Sequence, residues 1–169
     1  MRTIKSNRVI LGCLFILFLF CTSQLMAQDV QISMKYAQGI KHNEWSAFKG
    51  GFELSADYIY SINNLRISSG LDFRTIQWGN QATISLGLAK VLSPKIELGL
   101  EMQHGLALFH PQSLYTFSAG ANCDLTLVNN DKLQMGLSIE ARYSICPAYI
   151  NYGQIYHVTE IPLGIFIRF

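Results

Sequence analysis

From Val30 onward, apolar and polar residues alternate along most of the chain, and a period of two is the mark of strands with two unlike faces. The clearest stretch is 95–109. Ile96, Leu98, Leu100, Met102, Leu106 and Leu108 fall on one face, interrupted only by His104. Glu97, Gly99, Glu101, Gln103, Gly105 and Ala107 fall on the other. The next stretch repeats the pattern, with Tyr115, Phe117, Ala119, Ala121, Cys123, Leu125 and Leu127 against Thr116, Ser118, Gly120, Asn122, Asp124 and Thr126. The same reading predicts eight strands, over 30–39, 50–62, 65–75, 81–92, 95–109, 114–128, 132–145 and 156–169. Most reach the ~9–11 residues that a tilted strand needs to cross a bilayer.

The connections alternate in length. Asn63-Asn64, Ser93-Pro94 and Asn129-Asn130-Asp131 are tight turns of standard turn residues. The others, around 40–49, 76–80, 110–113 and 146–155, are longer. Short turns at one end and longer loops at the other are the layout of an outer-membrane barrel, with the turns on the periplasmic side. The expected fold is all-β: a closed antiparallel eight-stranded up-and-down transmembrane β-barrel.

The polar face decides which side is inside. It carries Gly70, Gly87, Gly99, Gly105, Gly120, Gly136 and Gly164, several serines and almost no lysine. A solvated outer face has no need of glycine, which weakens a strand, whereas the narrow interior of eight strands needs small side chains. The apolar face has one formal charge, Lys90, close enough to a turn for its stem to snorkel to the interface. Phe52, Phe73, Tyr115, Phe117, Tyr143 and Tyr156 gather toward the long-loop ends, and Tyr60 and Phe169 toward the other rim, as two interfacial girdles would. A soluble lipocalin-like barrel, the weakest alternative, would turn these faces round.

Composition agrees. The 169 residues suffice for one domain, and half are hydrophobic while only 14% are charged, against ~25% in soluble domains. Arg2, Lys5 and Arg8 account for the formal charge of +2, and the rest of the chain is nearly neutral, so nothing supports a nucleic-acid partner. Those three residues precede the apolar run Val9 to Phe20, and a polar stretch then leads to Ala27. This is the pattern of a cleaved signal peptide over 1–27, with the barrel domain over 28–169. Cys13 lies inside the apolar run and Cys21 follows Phe20 where a small residue is expected, which argues against lipidation.

The last strand, Ile161 to Phe169, places Ile161, Leu163, Ile165, Ile167 and the terminal Phe169 on one face. It resembles the C-terminal signature strand of bacterial outer-membrane barrels. The whole mature portion resembles the small eight-stranded group that includes the membrane domain of outer membrane protein A and outer membrane protein X. The resemblance implies a cell outer-membrane location and recognition of the last strand by the barrel-assembly machinery. Phe166 departs from the pattern by placing an aromatic on the inner face.

On that inner face, the two-residue turn Asn63-Asn64 sets Glu53 opposite Arg74 and Ser55 opposite Asp72. Lys35, Glu101, Glu140, Arg142 and Glu160 lie at intermediate heights. Buried charges need partners, so these residues are expected to form an ion network that plugs the lumen, with Glu53 and Arg74 paired. The alternative is a narrow conducting path lined by the same carboxylates.

Some eight-stranded barrels resemble lipid A deacylases with a membrane-facing His-Ser-Glu set, which makes the histidines the only enzymatic candidates. That chemistry needs a base beside a hydroxyl and a carboxylate to orient it. His104 has Leu106 where the hydroxyl should be; His157 has Thr159 beside it but Glu160 on the other face; His110 and Ser113 share a loop with no carboxylate. No catalytic residue is assigned. No metal-ligand spacing or nucleotide motif appears, and no cofactor is expected. Cys123 is set opposite residues 136–137, too far from Cys146 for a disulfide.

The expectation is a non-enzymatic, monomeric envelope protein. Its barrel is the anchor, and the loops Ile40 to Lys49 (with Trp45 and Phe48) and Ile145 to Ile155 (with Tyr149 and Tyr152) meet the outside. Its expected partners are outer-membrane lipid and lipopolysaccharide. A lipid A-modifying enzyme is the second reading.

Overall fold

The computed structural model describes residues 29–42, 50–76, 79–109, 112–130, 132–146 and 156–169. The segment read as a signal peptide lies outside them, as do Trp45, Phe48, His110, Tyr149 and Tyr152. Eight antiparallel strands run in chain order around a closed barrel: β1 Asp29–His42, β2 Gly50–Ile62, β3 Leu65–Ile76, β4 Gly79–Ser93, β5 Ile96–Phe109, β6 Gln112–Asn130, β7 Leu133–Cys146 and β8 Tyr156–Arg168. The ends meet where Val30 and Phe169 exchange both backbone hydrogen bonds, at 3.1 and 2.9 Å. Closure leaves no strand edge for lipid to meet, the condition for sheet structure inside a bilayer.

Local chemistry sets the turns. Asn63 takes a positive φ of 54° between the register partners Ile62 and Leu65, a conformation asparagine tolerates better than most residues. After β4 the hydroxyl of Ser93 accepts hydrogen bonds from the backbone N–H groups of Lys95 and Ile96, at 3.3 and 3.2 Å. The opposite ends differ from the expectation. β3 and β4 pair as far as Ile76–Gly79, and β5 and β6 as far as Phe109–Gln112, so two residues separate each pair instead of a longer loop. The alternation places 79–80 and 112–113 in the loops, but a ladder that continues beyond the apolar alternation keeps gaining backbone hydrogen bonds whatever its side chains.

The wall is irregular at several points, with register shifts at Gly39/Lys41 and Val91/Ser93. β6 shifts register between Thr126 and Val128. Separately, the ladder runs on to Asn130–Leu133, so the β6–β7 turn is centred past Asn130 and Cys123 pairs with Ile139 rather than with residues 136–137. That still leaves it seven positions from Cys146, about 23 Å along a strand. In β8, Pro162 has no N–H to give, and the β7–β8 ladder skips Glu140 and Ala141 opposite it.

The faces fall as the alternation requires. Leu86, Leu100, Phe52 and Phe73 point outward and are more than 60% exposed, while the inward residues of the same strands are mostly polar and buried. An apolar belt of this extent is not sustained in water. Tyr36, Phe52, Phe73, Tyr115 and Tyr143 are exposed toward the loop end, Tyr60 and Phe169 toward the turn end. Phe166 does point inward and is buried. Its register partner is Gly136, where any Cβ would come within 2.7 Å of the ring, and the Arg168 guanidinium lies over the ring at 5.3 Å.

Candidate functional site

The described lumen is filled by two layers of charge. The upper layer is built on Arg142 of β7. Its guanidinium donates to both oxygens of Glu53 on β2, at 2.5 and 2.8 Å, and to both oxygens of Glu140, at 2.7 Å each. Lys35 of β1 completes that carboxylate at 3.2 Å. Beside them Arg74 of β3 donates twice to Glu160 of β8, at 2.7 and 2.6 Å. All six side chains are buried. Gly120 makes room for this layer, because a Cβ there would stand 2.7 Å from Glu140 Oε1. Paired, bidentate contacts are the arrangement in which buried charges offset their desolvation best.

The expected Glu53–Arg74 ion pair is corrected. The two are register partners across β2 and β3, as are Arg142 and Glu160 across β7 and β8. Each arginine nevertheless takes the carboxylate of the other pair, reaching over the lumen to a strand three places round the barrel. An arginine side chain is long enough for that crossing, and a barrel this narrow brings opposite walls within its reach. Glu101 stands apart from these pairs. Among the described residues it is in no ion pair within 4 Å, and it accepts a hydrogen bond from Gln103 at 2.7 Å. Asp57 and Asp72 are likewise held by neutral donors, Ser85 at 3.1 Å and Thr83 at 3.3 Å.

The lower layer, near the turns, escaped the sequence reading. Arg168 donates to Glu97 at 2.8 Å, to Gln134 at 3.0 Å and twice to Gln31, and stands 3.9 Å from Asp124. Arg66 also pairs with Glu97. The signal was present: Glu97 and Asp124 share the inner face by parity, and Arg168 sits between Ile167 and Phe169 on the outer one. Between the layers lies a cavity of about 40 Å³ bordered by Lys35, Asp57, Glu101, Asn122, Asp124 and Arg168. That is room for water molecules.

The C-terminal residues take the outward face of β8, with Leu163, Ile165 and Phe169 exposed and Ile161 and Ile167 partly so. His104 and His157 also face outward. His104 lies against the Tyr115 ring at 5.2 Å, and His157 stacks on Tyr143 at 6.0 Å. Glu160, the carboxylate nearest His157 in sequence, points the other way and is held by Arg74.

No family model matches the chain, and no curated protein matches it in sequence. Solved structures do match it in fold. Neisserial surface protein A aligns with a TM-score of 0.51 and 15% identity over 83% of this chain and 94% of its own. The attachment invasion locus protein of Yersinia pestis aligns with a TM-score of 0.51 and 20% identity, over 85% of this chain and 100% of its own. A de novo designed transmembrane β-barrel aligns equally well, at 0.51 and 13% identity. Identities this low carry the fold alone, and the fold is that of the small eight-stranded outer-membrane β-barrels.

Proposed function

We propose that this chain is a non-enzymatic outer-membrane anchor. A signal peptide over 1–27 directs its export, the barrel-assembly machinery recognises its last strand, and it stands in the membrane as a monomer. Its barrel holds the loops around 43–49 and 147–155 at the cell surface, where they contact lipopolysaccharide or a partner. The observation that carries this reading is the filled lumen. Two ionic layers cross the lumen among the described residues, with a cavity of about 40 Å³ between them. This supports a plug over a pore and turns attention to the outer face and the loops. The outward placement of His104 and His157 against tyrosine rings favours an interfacial role over catalysis.

The test is fractionation followed by SDS gels with and without boiling, and then conductance across a planar bilayer. An outer-membrane band that migrates faster unboiled and forms no channels supports the plugged anchor. A soluble periplasmic band without a shift overturns the location, stepwise conductance overturns the plug, and a mass change in added lipid A that is lost in His157→Ala overturns the non-enzymatic assignment.

A further inference from the structure

The outer wall is not uniformly bulky. In the register row Met34–Leu54–Phe73–Ala82–Leu106, which runs across β1 to β5, Ala82 is the one small side chain, set between Phe73 and Leu106. Above it in the next row stand Thr75 and Asn80, register partners whose side chains face outward among Phe52 and Leu108. The result is a groove of about 540 Å³ on the lipid-facing wall, mostly apolar in its lining, with Met34, Phe52, Leu54, Phe73 and Leu108 as its sides and Ala82 in its floor. That volume lies in the ~300–1,000 Å³ range of sites that take small molecules.

We propose that this groove seats one acyl chain of lipid A, with the amide or ester linkage of that chain at Thr75 and Asn80. Three features select the occupant. The groove is continuous with the exposed apolar belt, so inside a membrane its neighbours are lipid chains. It opens at the loop end, beside the aromatic residues Tyr36, Phe52 and Phe73 that mark the interface. The outward-facing polar side chains at that end are neutral: an amide, and a hydroxyl that already donates to the Phe52 carbonyl at 3.4 Å and keeps its lone pairs free to accept. Glu53, Arg74 and Gln81 also border the groove but are buried, with their side chains toward the lumen. Neutral donors and acceptors suit the acyl linkage of a lipid and not its phosphates. The choice of lipid A over a phospholipid rests on the proposed orientation, which places the loop end in the outer leaflet.

The full-length protein folded into phosphatidylcholine vesicles with purified lipid A, then transferred to mild detergent, tests this by native mass spectrometry. The wild type is expected to keep one lipid A molecule. Ala82→Trp, which fills the groove, should cut that retention about tenfold. Ala141→Trp, on the outward face of β7 away from the groove, should leave it unchanged. Asn80→Leu should weaken retention without filling the space. Folded wild type that keeps no lipid A, equal retention by A82W and A141W, or phosphatidylcholine kept as well as lipid A would each overturn the proposal. If A82W loses the fast-migrating unboiled form, Ala82→Leu takes its place under the same criteria. Failure of the anchor reading is a separate result, a soluble chain or no unboiled shift at all.

Discussion

Arg74 lies directly opposite Glu53 in the register of β2 and β3, yet its guanidinium closes on Glu160 across the lumen, while Glu53 is taken by Arg142. For these two arginines the register neighbour is therefore not the ion partner. A double-mutant cycle separates the two relationships. Coupling between Glu53→Gln and Arg142→Met should fall in the ~0.5–3 kcal/mol range of residues in direct contact. Coupling between Glu53→Gln and Arg74→Met should be much smaller, measured by urea unfolding of the barrel in vesicles. A larger Glu53–Arg74 coupling would contradict the crossed pairing.

The two layers should differ in what one deletion costs. Arg142→Ala strands both Glu53 and Glu140, leaving only Lys35 to serve Glu140. Removal of one partner from a buried pair costs about 3–5 kcal/mol. Arg168→Ala leaves Glu97 still paired with Arg66. Its loss should stay nearer the ~1.5–3 kcal/mol of hydrogen bonds to a charged group. Equal losses in the unfolding free energy would mean that the layers are not built as described.

Two inward glycines should respond differently to a methyl group. At Gly105 a Cβ would meet the Ala82 carbonyl oxygen at 2.0 Å and the Thr83 Cα at 2.7 Å, so β4 and β5 would have to part. At Gly87 the one close contact is the Ser68 hydroxyl, which can rotate away. Gly105→Ala should cost the ~1–3 kcal/mol of an overpacked site, while Gly87→Ala should be close to neutral. Midpoints of urea unfolding for the two variants give the comparison, and a loss at Gly87 as large as that at Gly105 would refute it.

How far the sequence could be read follows from the range of each interaction. Strand identity and facing depend on neighbours two residues apart, so Ile96 to Leu108 alone reveal the outer face of β5. The Glu53–Arg74 register was legible because the Asn63-Asn64 turn lies between the two strands. The β6–β7 register was not, because Asn129-Asn130-Asp131 offers more than one turn centre, and the ladder runs on to Asn130–Leu133 instead of folding back at Asn130. Ion partners were the least legible. They depend on which walls face each other once the barrel closes, and parity along a strand carries no information about that. The lower layer, by contrast, could have been found by continuing the inner-face count through Glu97, Asp124 and Arg168.

The inverted faces make the last prediction. Leu86 is the central residue of β4 and points outward, 62% exposed; Lys90, on the same face nearer the turn, is already charged. The cost of a charge on a lipid-facing wall depends on depth, from about 2–4 kcal/mol at the midplane to about 0–1 kcal/mol near the interface. Leu86→Arg should therefore destabilise the barrel in vesicles by about 2–4 kcal/mol. Lys90→Leu should be neutral or slightly stabilising, because the snorkelled ammonium gains little from a position so near the headgroups. In a barrel that stood in water the order would reverse: the arginine of Leu86→Arg would be solvated without cost, and the leucine of Lys90→Leu would enlarge an exposed apolar patch. Unfolding by urea in phosphatidylcholine vesicles measures both substitutions, and a Leu86→Arg variant as stable as the wild type would place this face outside the membrane.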